Sequence, residues 1–257
     1  MDALSPIRQH YAEAVCTGLE HAGQLIPAFA SVDRAACLLP PPWSVLHHLP
    51  GRHGHVEKTS REQDLYHDRL VQLDASRRIN NGQPSLWAAV FDRLLTHAPT
   101  RLLHLGCGSG YYTAILAALF PDAEVRFHDV HEPLRAHAAQ LFATRQRVLV
   151  DDRHTVLDAI VCSFGCSRVA EPLVTRWQDG GVLLAPVTDR HGRGVFVEAR
   201  RQGDRVEVRP LFYCAFSLDA EQAQFPQRIV WRDAVSAPWP THGALDLGAL
   251  FTATSSD

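Results

Sequence analysis

Leu103-His104-Leu105-Gly106-Cys107-Gly108-Ser109-Gly110-Tyr111-Tyr112 is the stretch whose reading decides the fold. The apolar run Arg101–Leu105 reads as a strand, and a glycine-rich turn follows it. The turn feeds an apolar segment, 111–120, with helical character that Pro121-Asp122 stops. A strand that passes through such a turn into a helix offers unpaired amides and close backbone approach to a ligand. Glycine turns are common, so the flanking sequence has to carry the argument. Asp129, nineteen residues after Gly110, ends the next predicted strand, 125–130. An acid at that place can accept hydrogen bonds from both hydroxyls of a ribose.

Outward from this centre the pattern stays regular. A helix is predicted over 86–98, opened by Pro84-Ser85 and stopped before Pro99, and another over 132–143. Strands are predicted at 148–150, 157–162 and 182–187, with a helix over 168–178. This β-α alternation is the mark of a parallel, doubly wound sheet with helices on both faces. Two alternating runs, 194–200 and 205–217, meet across Gln202-Gly203-Asp204 and read as an antiparallel hairpin closing the sheet edge. Residues 1–30 read as helical, whereas 31–85 read as irregular, with Pro40-Pro41-Pro42-Trp43 and a histidine-rich loop. The expected organisation is an N-terminal helical and irregular cap over 1–85, a ligand-binding α/β domain over 86–217, and a C-terminal extension over 218–257 packed on it.

Composition narrows the function classes. The 257 residues suffice for one substantial core, and the net charge of -3 with dispersed basic residues argues against a nucleic-acid partner. No run approaches the roughly 18 apolar residues that span a bilayer, so no membrane partner and a cytoplasmic location are expected. The six cysteines follow no paired spacing and read as reduced, buried filler. His47-His48, His53 and His55 read as a solvated polar loop, because no carboxylate or cysteine joins them in regular spacing; no metal is expected.

The choice of ligand turns on one residue. A dinucleotide turn wants a third glycine three positions after the second, and here that position holds the bulky Tyr111. The pattern L-x-L-G-C-G-S-G-Y resembles instead motif I of S-adenosylmethionine-dependent, class I Rossmann-type methyltransferases. Within that class the chain is similar to the protein-L-isoaspartate O-methyltransferases, as a divergent member. Asn81-Gly82-Gln83-Pro84-Ser85 stands where that family has T-I-S-Q-P ahead of the helix before motif I. Residues 28–34, Leu65-Tyr66-His67-Asp68, Leu157-Asp158-Ala159-Ile160 and 177–186 match further family stretches, colinear over residues 25–215.

The resemblance implies a set of site residues. Gly106, Cys107, Gly108, Ser109, Gly110, Tyr111, Asp129 and Val130 would hold S-adenosylmethionine, with S-adenosylhomocysteine as product. The acid near adenine is left to Asp151 or Asp152, in a segment shorter than the family's. Asn81, Gly82 and Gln83 would form the acceptor side, with Gly82 standing where the family has serine. Tyr111 or Tyr112 would line the cofactor site. Asp158 reads as a structural acid. The implied reaction is methylation of a carboxylate on a peptide or protein. Such an acceptor is already ionised at neutral pH, so positioning matters more than a general base, and no base stands out. The missing serine keeps two alternatives open: a dedicated methyltransferase for a biosynthetic peptide or small molecule, and a non-catalytic pseudo-methyltransferase.

Overall fold

The computed structural model describes residues 4–47, 55–218 and 224–252. The chain forms two compact units that interrupt one another in sequence. The first comprises Met1–Ala98, Cys107–Ala123 and His131–Leu149, the second Pro99–Gly106, Glu124–Val130 and Val150–Asp257.

The first unit opens with helices α1 (Ser5–Val15) and α2 (Ala22–Ser31), separated at Thr17-Gly18, where Gly18 takes a positive φ. A one-turn helix α3 (Arg34–Cys37) follows, capped by the Asp33 carboxylate, which accepts from the Ala36 amide. The stretch expected to be irregular instead builds a four-stranded antiparallel sheet: β1 (Trp43–His47), β2 (His55–Thr59), β3 (Leu70–Asp74) and β4 (Ile79–Asn80), in the order β2-β1-β3-β4. The expectation fails because four of the five β2 residues are exposed and no strand exceeds five residues, leaving little apolar alternation to see. Trp43, Val45, Leu65 and Val71 form its small core. Helices α4 (Pro84–Leu95), α5 (Tyr111–Leu119) and α6 (Glu132–Leu141) match the sequence reading. Aromatic residues of α4 and α5 continue a network from α1 and α2, through Tyr11–Phe29, Phe29–Phe91, Phe91–Trp87 and Trp87–Tyr112, with ring centroids 5.2–6.4 Å apart.

Arg34 sits at the centre of this unit with no exposed surface. Its guanidinium donates to the carbonyls of Leu65, His67 (3.1 Å) and Arg69 (2.9 Å) and lies over the rings of Tyr11 and Tyr111, 5.8 and 5.3 Å from their centroids. The two tyrosine hydroxyls are 3.1 Å apart. One residue thus fixes the 65–69 segment, α1 and the first turn of α5.

The main sheet, most of which belongs to the second unit, has the strands β5 (Arg101–Leu105), β6 (Glu124–His128), β7 (Val148–Val150), β8 (Leu157–Cys162), β10 (Trp177–Thr188), β11 (Arg193–Gln202), β12 (Arg205–Ala215) and β13 (Val235–Pro238). Their order is β13-β12-β11-β10-β8-β5-β6-β7. β5 runs parallel to β6 and β8, and β8 parallel to β10, while β10 through β13 are antiparallel. β8 is nearly all buried, as the apolar run Ala159-Ile160-Val161-Cys162 dictates for a central parallel strand. From β5 the chain moves outward to β6 and β7, then returns to β8 on the other flank of β5. The carboxyl end of β5 is therefore the switch point, the place where open α/β sheets bind ligands.

Two expectations are corrected here. Residues 168–178 do not form one helix: they supply β9 (Arg168–Val169), the single turn α7 (Glu171–Val174) and the start of β10. Val169, Val174 and Trp177 mimic helical spacing, but Val169 pairs with Leu245 of β14 (Leu245–Asp246) and Trp177 pairs with Leu157. The β11–β12 hairpin forms as read but does not close the sheet, because β13, from the weakly patterned tail, pairs along β12. A short helix α8 (Leu247–Leu250) follows β14. No helix among the described residues is long and apolar enough to cross a membrane. All six cysteines are free thiols, five of them buried.

Within β5, His104 is buried, its Nε2 lying 2.7 Å from Ser163 Oγ, and burial pushes its pKa down to about 3. Two predictions come from these buried cations and imidazoles. Arg34→Met should cost about 3–5 kcal/mol in urea unfolding by stranding three carbonyls, with Arg34→Lys milder; a loss under about 1 kcal/mol would show the hub to be dispensable. His104 stays neutral in the folded chain while an unfolded histidine takes a proton near 6.5, so acidification from pH 7 toward 4 loads protons onto the unfolded state. Stability should fall across that window by about 1.4 kcal/mol per pH unit at the steepest, and His104→Gln should flatten this slope; equal slopes would refute the assignment.

Candidate functional site

In the second unit the strand ends come together by backbone bonding. The Gly106 amide donates to His128 O (2.8 Å), and the Asp151 amide to Phe127 O (3.0 Å). The carboxyl ends of β5 and β6 therefore lie side by side, with Asp151 next to β6. Asp129 follows directly on β6 and is only 8% exposed, while its neighbour Val130 is half exposed. Gly106 has φ +74, and a Cβ there would stand 2.8 Å from Phe164 Cδ1, so both the backbone twist and the close approach require glycine.

Of the two candidate acids near adenine, neither carboxylate is idle. Asp151 is gripped by Arg176 through two bonds of 2.8 and 2.6 Å, both side chains being buried. Asp152 is exposed and caps its own turn: the amides of His154 and Thr155 hold its carboxyl well below the usual carboxylate range, helped by Arg126 at 3.1 Å. Asp158 is a structural acid, as read: it accepts from Thr100 N and Oγ1 and from Arg101 N, pinning the start of β5.

In the first unit, Cys107–Gly110 forms the rest of the turn, closed by a bond from the Gly110 amide to Cys107 O (3.0 Å), with Gly108 and Gly110 both at positive φ. Ser109 is buried, and its Oγ has no hydrogen-bond partner among the described residues. Tyr111 and Tyr112 open α5, and burial pushes both phenols well above their ordinary range. They are neutral hydroxyls, not bases.

The Asn81-Gly82-Gln83 segment is a braced platform. Asn81 pairs with Val71 through both its amide (2.9 Å) and its side-chain oxygen (2.8 Å). The Gly82 amide donates to Asn80 Oδ1 (2.8 Å), and Tyr112 Oη donates to Gly82 O (3.1 Å). Gln83 Nε2 donates to Asp68 Oδ2 (2.8 Å), and Asp68 also accepts from Ser85 N (2.8 Å) and Oγ (2.7 Å). Asp68 thus caps the start of α4, a role that local capping patterns miss because the acid lies fifteen residues upstream of Gln83. Gly82 has φ +73, and a Cβ there would come within 2.2 Å of Trp87 Nε1. The indole of α4 occupies the space that a serine side chain would need.

An open sheet with its switch point at β5, a glycine turn leaving that strand, a buried acid ending β6 and an antiparallel far side define a class I, Rossmann-type methyltransferase fold. Comparison with known proteins agrees and goes further. The sequence model of the family Protein-L-isoaspartate(D-aspartate) O-methyltransferase (PCMT) matches residues 45–136. A protein-L-isoaspartate O-methyltransferase of Methanoculleus marisnigri is 31% identical over 168 residues, 62% of this chain and 74% of the relative. Protein-L-isoaspartate O-methyltransferase 1 of Marinobacter nauticus is 34% identical over 52% of this chain, and a Rhodopseudomonas palustris relative 29% identical over 48%. The match spans 66% and 60% of those two relatives, short of two thirds of their lengths. A Plasmodium falciparum structure described as a protein-L-isoaspartate O-methyltransferase in complex with S-adenosyl-L-homocysteine superposes with a TM-score of 0.61 at 14% identity, covering 85% of this chain and 98% of that one. A second protein-L-isoaspartate O-methyltransferase structure gives 0.62 at 17% identity, covering 81% and 66%. The chain belongs to the protein-L-isoaspartate O-methyltransferase family.

The braced platform predicts its own mutational response. Gly82→Ser, which restores the family residue, should cost about 1–3 kcal/mol in thermal or urea unfolding from left-handed strain and overpacking. The penalty should shrink in a Trp87→Phe background; equal penalties in both backgrounds would show that Trp87 does not exclude the serine.

Proposed function

We propose that this chain is an S-adenosylmethionine-dependent carboxyl O-methyltransferase of the isoaspartate type, methylating a carboxylate on a peptide or protein. The observation that carries the reading is the motif I turn followed by α5 in the same chain as the Gln83-Pro84 platform, both inside the matched family region. The site residues fit the cofactor: the turn is glycine where a Cβ would collide, Ser109 Oγ has no partner among the described residues, and a buried acid follows β6.

S-adenosylmethionine would supply, when bound, an electrophilic sulfonium methyl group whose C–S bond breaks as an acceptor carboxylate oxygen bonds to the methyl carbon, with S-adenosylhomocysteine as the leaving thioether. The backbone of Gly106, Cys107, Gly108, Ser109, Gly110 and Tyr111 holds the donor. Asp129 accepts from the ribose hydroxyls, with Val130 beside it. Asp151 or Asp152 would border the adenine, their carboxylates being engaged by Arg176 and by the 154–155 turn. The Asn81-Gly82-Gln83 platform orients the acceptor. A carboxylate needs no proton removed, which suits a site whose tyrosines stay protonated.

Trp87 beside Gly82 favours a second reading, a dedicated acceptor other than a general isoaspartyl peptide, because the family hydroxyl is replaced by an indole. Transfer of a labelled methyl group to an isoaspartyl peptide and its aspartyl counterpart separates the two. Base-labile label on the isoaspartyl peptide alone is the expected result. No label on either, with S-adenosylmethionine shown to bind, would turn the search to the dedicated acceptor or a scaffold role. Asp129→Ala should weaken cofactor binding about tenfold or more; an unchanged affinity would overturn the ribose assignment.

A further inference from the structure

Two of the histidines expected in a solvated loop, His47 and His55, occupy strand positions instead. His47 ends β1, His55 begins β2, and the two are direct cross-strand partners whose rings stack 4.6 Å apart at 13°. His48 and His53 lie outside the described residues. Glu57 is two residues beyond His55, so the period-two alternation of a strand returns it to the same face. There its carboxylate meets His47, Nε2 to Oε2 at 2.9 Å. One ligand atom from each of His47, His55 and Glu57 lies within 4.8 Å of the others.

We propose that this end of the β1–β2 hairpin is a binding site for a zinc-class divalent cation, held by His47, His55 and Glu57. Bonds of about 2.0–2.2 Å from a tetrahedral metal put neighbouring ligand atoms about 3.3 Å apart. The His47–Glu57 pair is already near that spacing, and His55 and Glu57 are exposed, with room to turn inward. The donor set selects the metal. Two imidazoles and one carboxylate suit zinc, nickel or copper, whereas magnesium and calcium prefer oxygen alone.

The surroundings bear on the charge. His47 and Glu57 line one depression together with Val45, Thr59, Arg61, Asp64, His67 and Arg69. Arg61 is neutralised by Asp64, with bonds of 3.0 Å to each carboxylate oxygen. Arg69 opposes a cation and limits affinity. His67 lines the same depression but lies outside the three-residue cluster. The strand pairing holds the three ligands in register at the end of the hairpin where β1 passes into β2. This site shares no residue with the motif I turn or the Asn81–Gln83 platform, and it stands whether or not the chain transfers methyl groups.

The test is a zinc titration of the full chain, free of any affinity tag, by calorimetry and by competition with a chromophoric chelator. One equivalent bound, a thermal midpoint raised by zinc but not by magnesium, and affinity reduced at least tenfold in Glu57→Gln are expected. His47→Ala/His55→Ala should abolish both the binding and the thermal shift while leaving the circular dichroism spectrum unchanged. His55→Ala alone, at an exposed position, covers the case in which the double variant fails to fold. Zinc binding that survives at wild-type strength in these variants would assign it to other histidines and overturn the proposal, as would the absence of binding to the wild-type chain.

Discussion

A guanidinium sealed from solvent organises the first unit. Arg34 has no exposed surface, and the carbonyls of Leu65, His67 and Arg69 converge on it while two tyrosine rings flank it. The three bonds from Nη1 and Nη2 offset the cost of burying this charge, although Nε has no partner among the described residues, so the 65–69 segment cannot drift without stranding both sides of these bonds. That segment carries Asp68, and Asp68 caps α4 and holds Gln83. The platform at Asn81–Gln83 thus inherits its position from Arg34 through a short chain of hydrogen bonds. Tyr111, at the first turn of α5, is fixed by the same residue.

The second unit solves a different problem. A central parallel strand is covered on both faces, and the middles of β5 and β8 are buried, mostly by apolar residues, so the sheet has a natural middle. The reversal of strand order at β5 leaves its carboxyl end open for a ligand, and Gly106 and Asp129 sit at neighbouring strand ends because Gly106 bonds to His128. The antiparallel strands beyond β10 add a large buried face, with Trp177 fully enclosed and Trp239 set edge-on to it at 5.3 Å. These strands hold the sheet together without approaching the switch point in the strand order.

Much of this was legible in one dimension, and the exceptions share a cause. α4, α5, α6 and the strands β5 to β8 follow from periodicity and punctuation, because each is long or apolar enough to declare itself. The β1–β4 sheet was not legible: β2 is polar along most of its length, and its pairing with β1 joins residues across the loop between them, His47 with His55 and Trp43 with Thr59. The same blindness hid the His47–His55–Glu57 cluster, since two histidines separated by a loop become neighbours only when the strands pair. The helix expected at 168–178 fails for the opposite reason, a local pattern overruled when Trp177 joins β10 and Val169 pairs with the tail.

The sequence by itself determined the doubly wound sheet, the glycine turn after β5, the acid ending β6 and the family, because these depend on residue type at short spacing: glycine where φ is positive, apolar runs where both faces are covered. Only the tertiary structure decided what occupies the place of the family serine, which partners Asp151 and Asp152 take, and what braces the platform. Each of those is a contact between residues distant in sequence, Arg176 with Asp151, Asp68 with Gln83, Arg34 with the 65–69 carbonyls, and no local pattern encodes which distant side chain arrives.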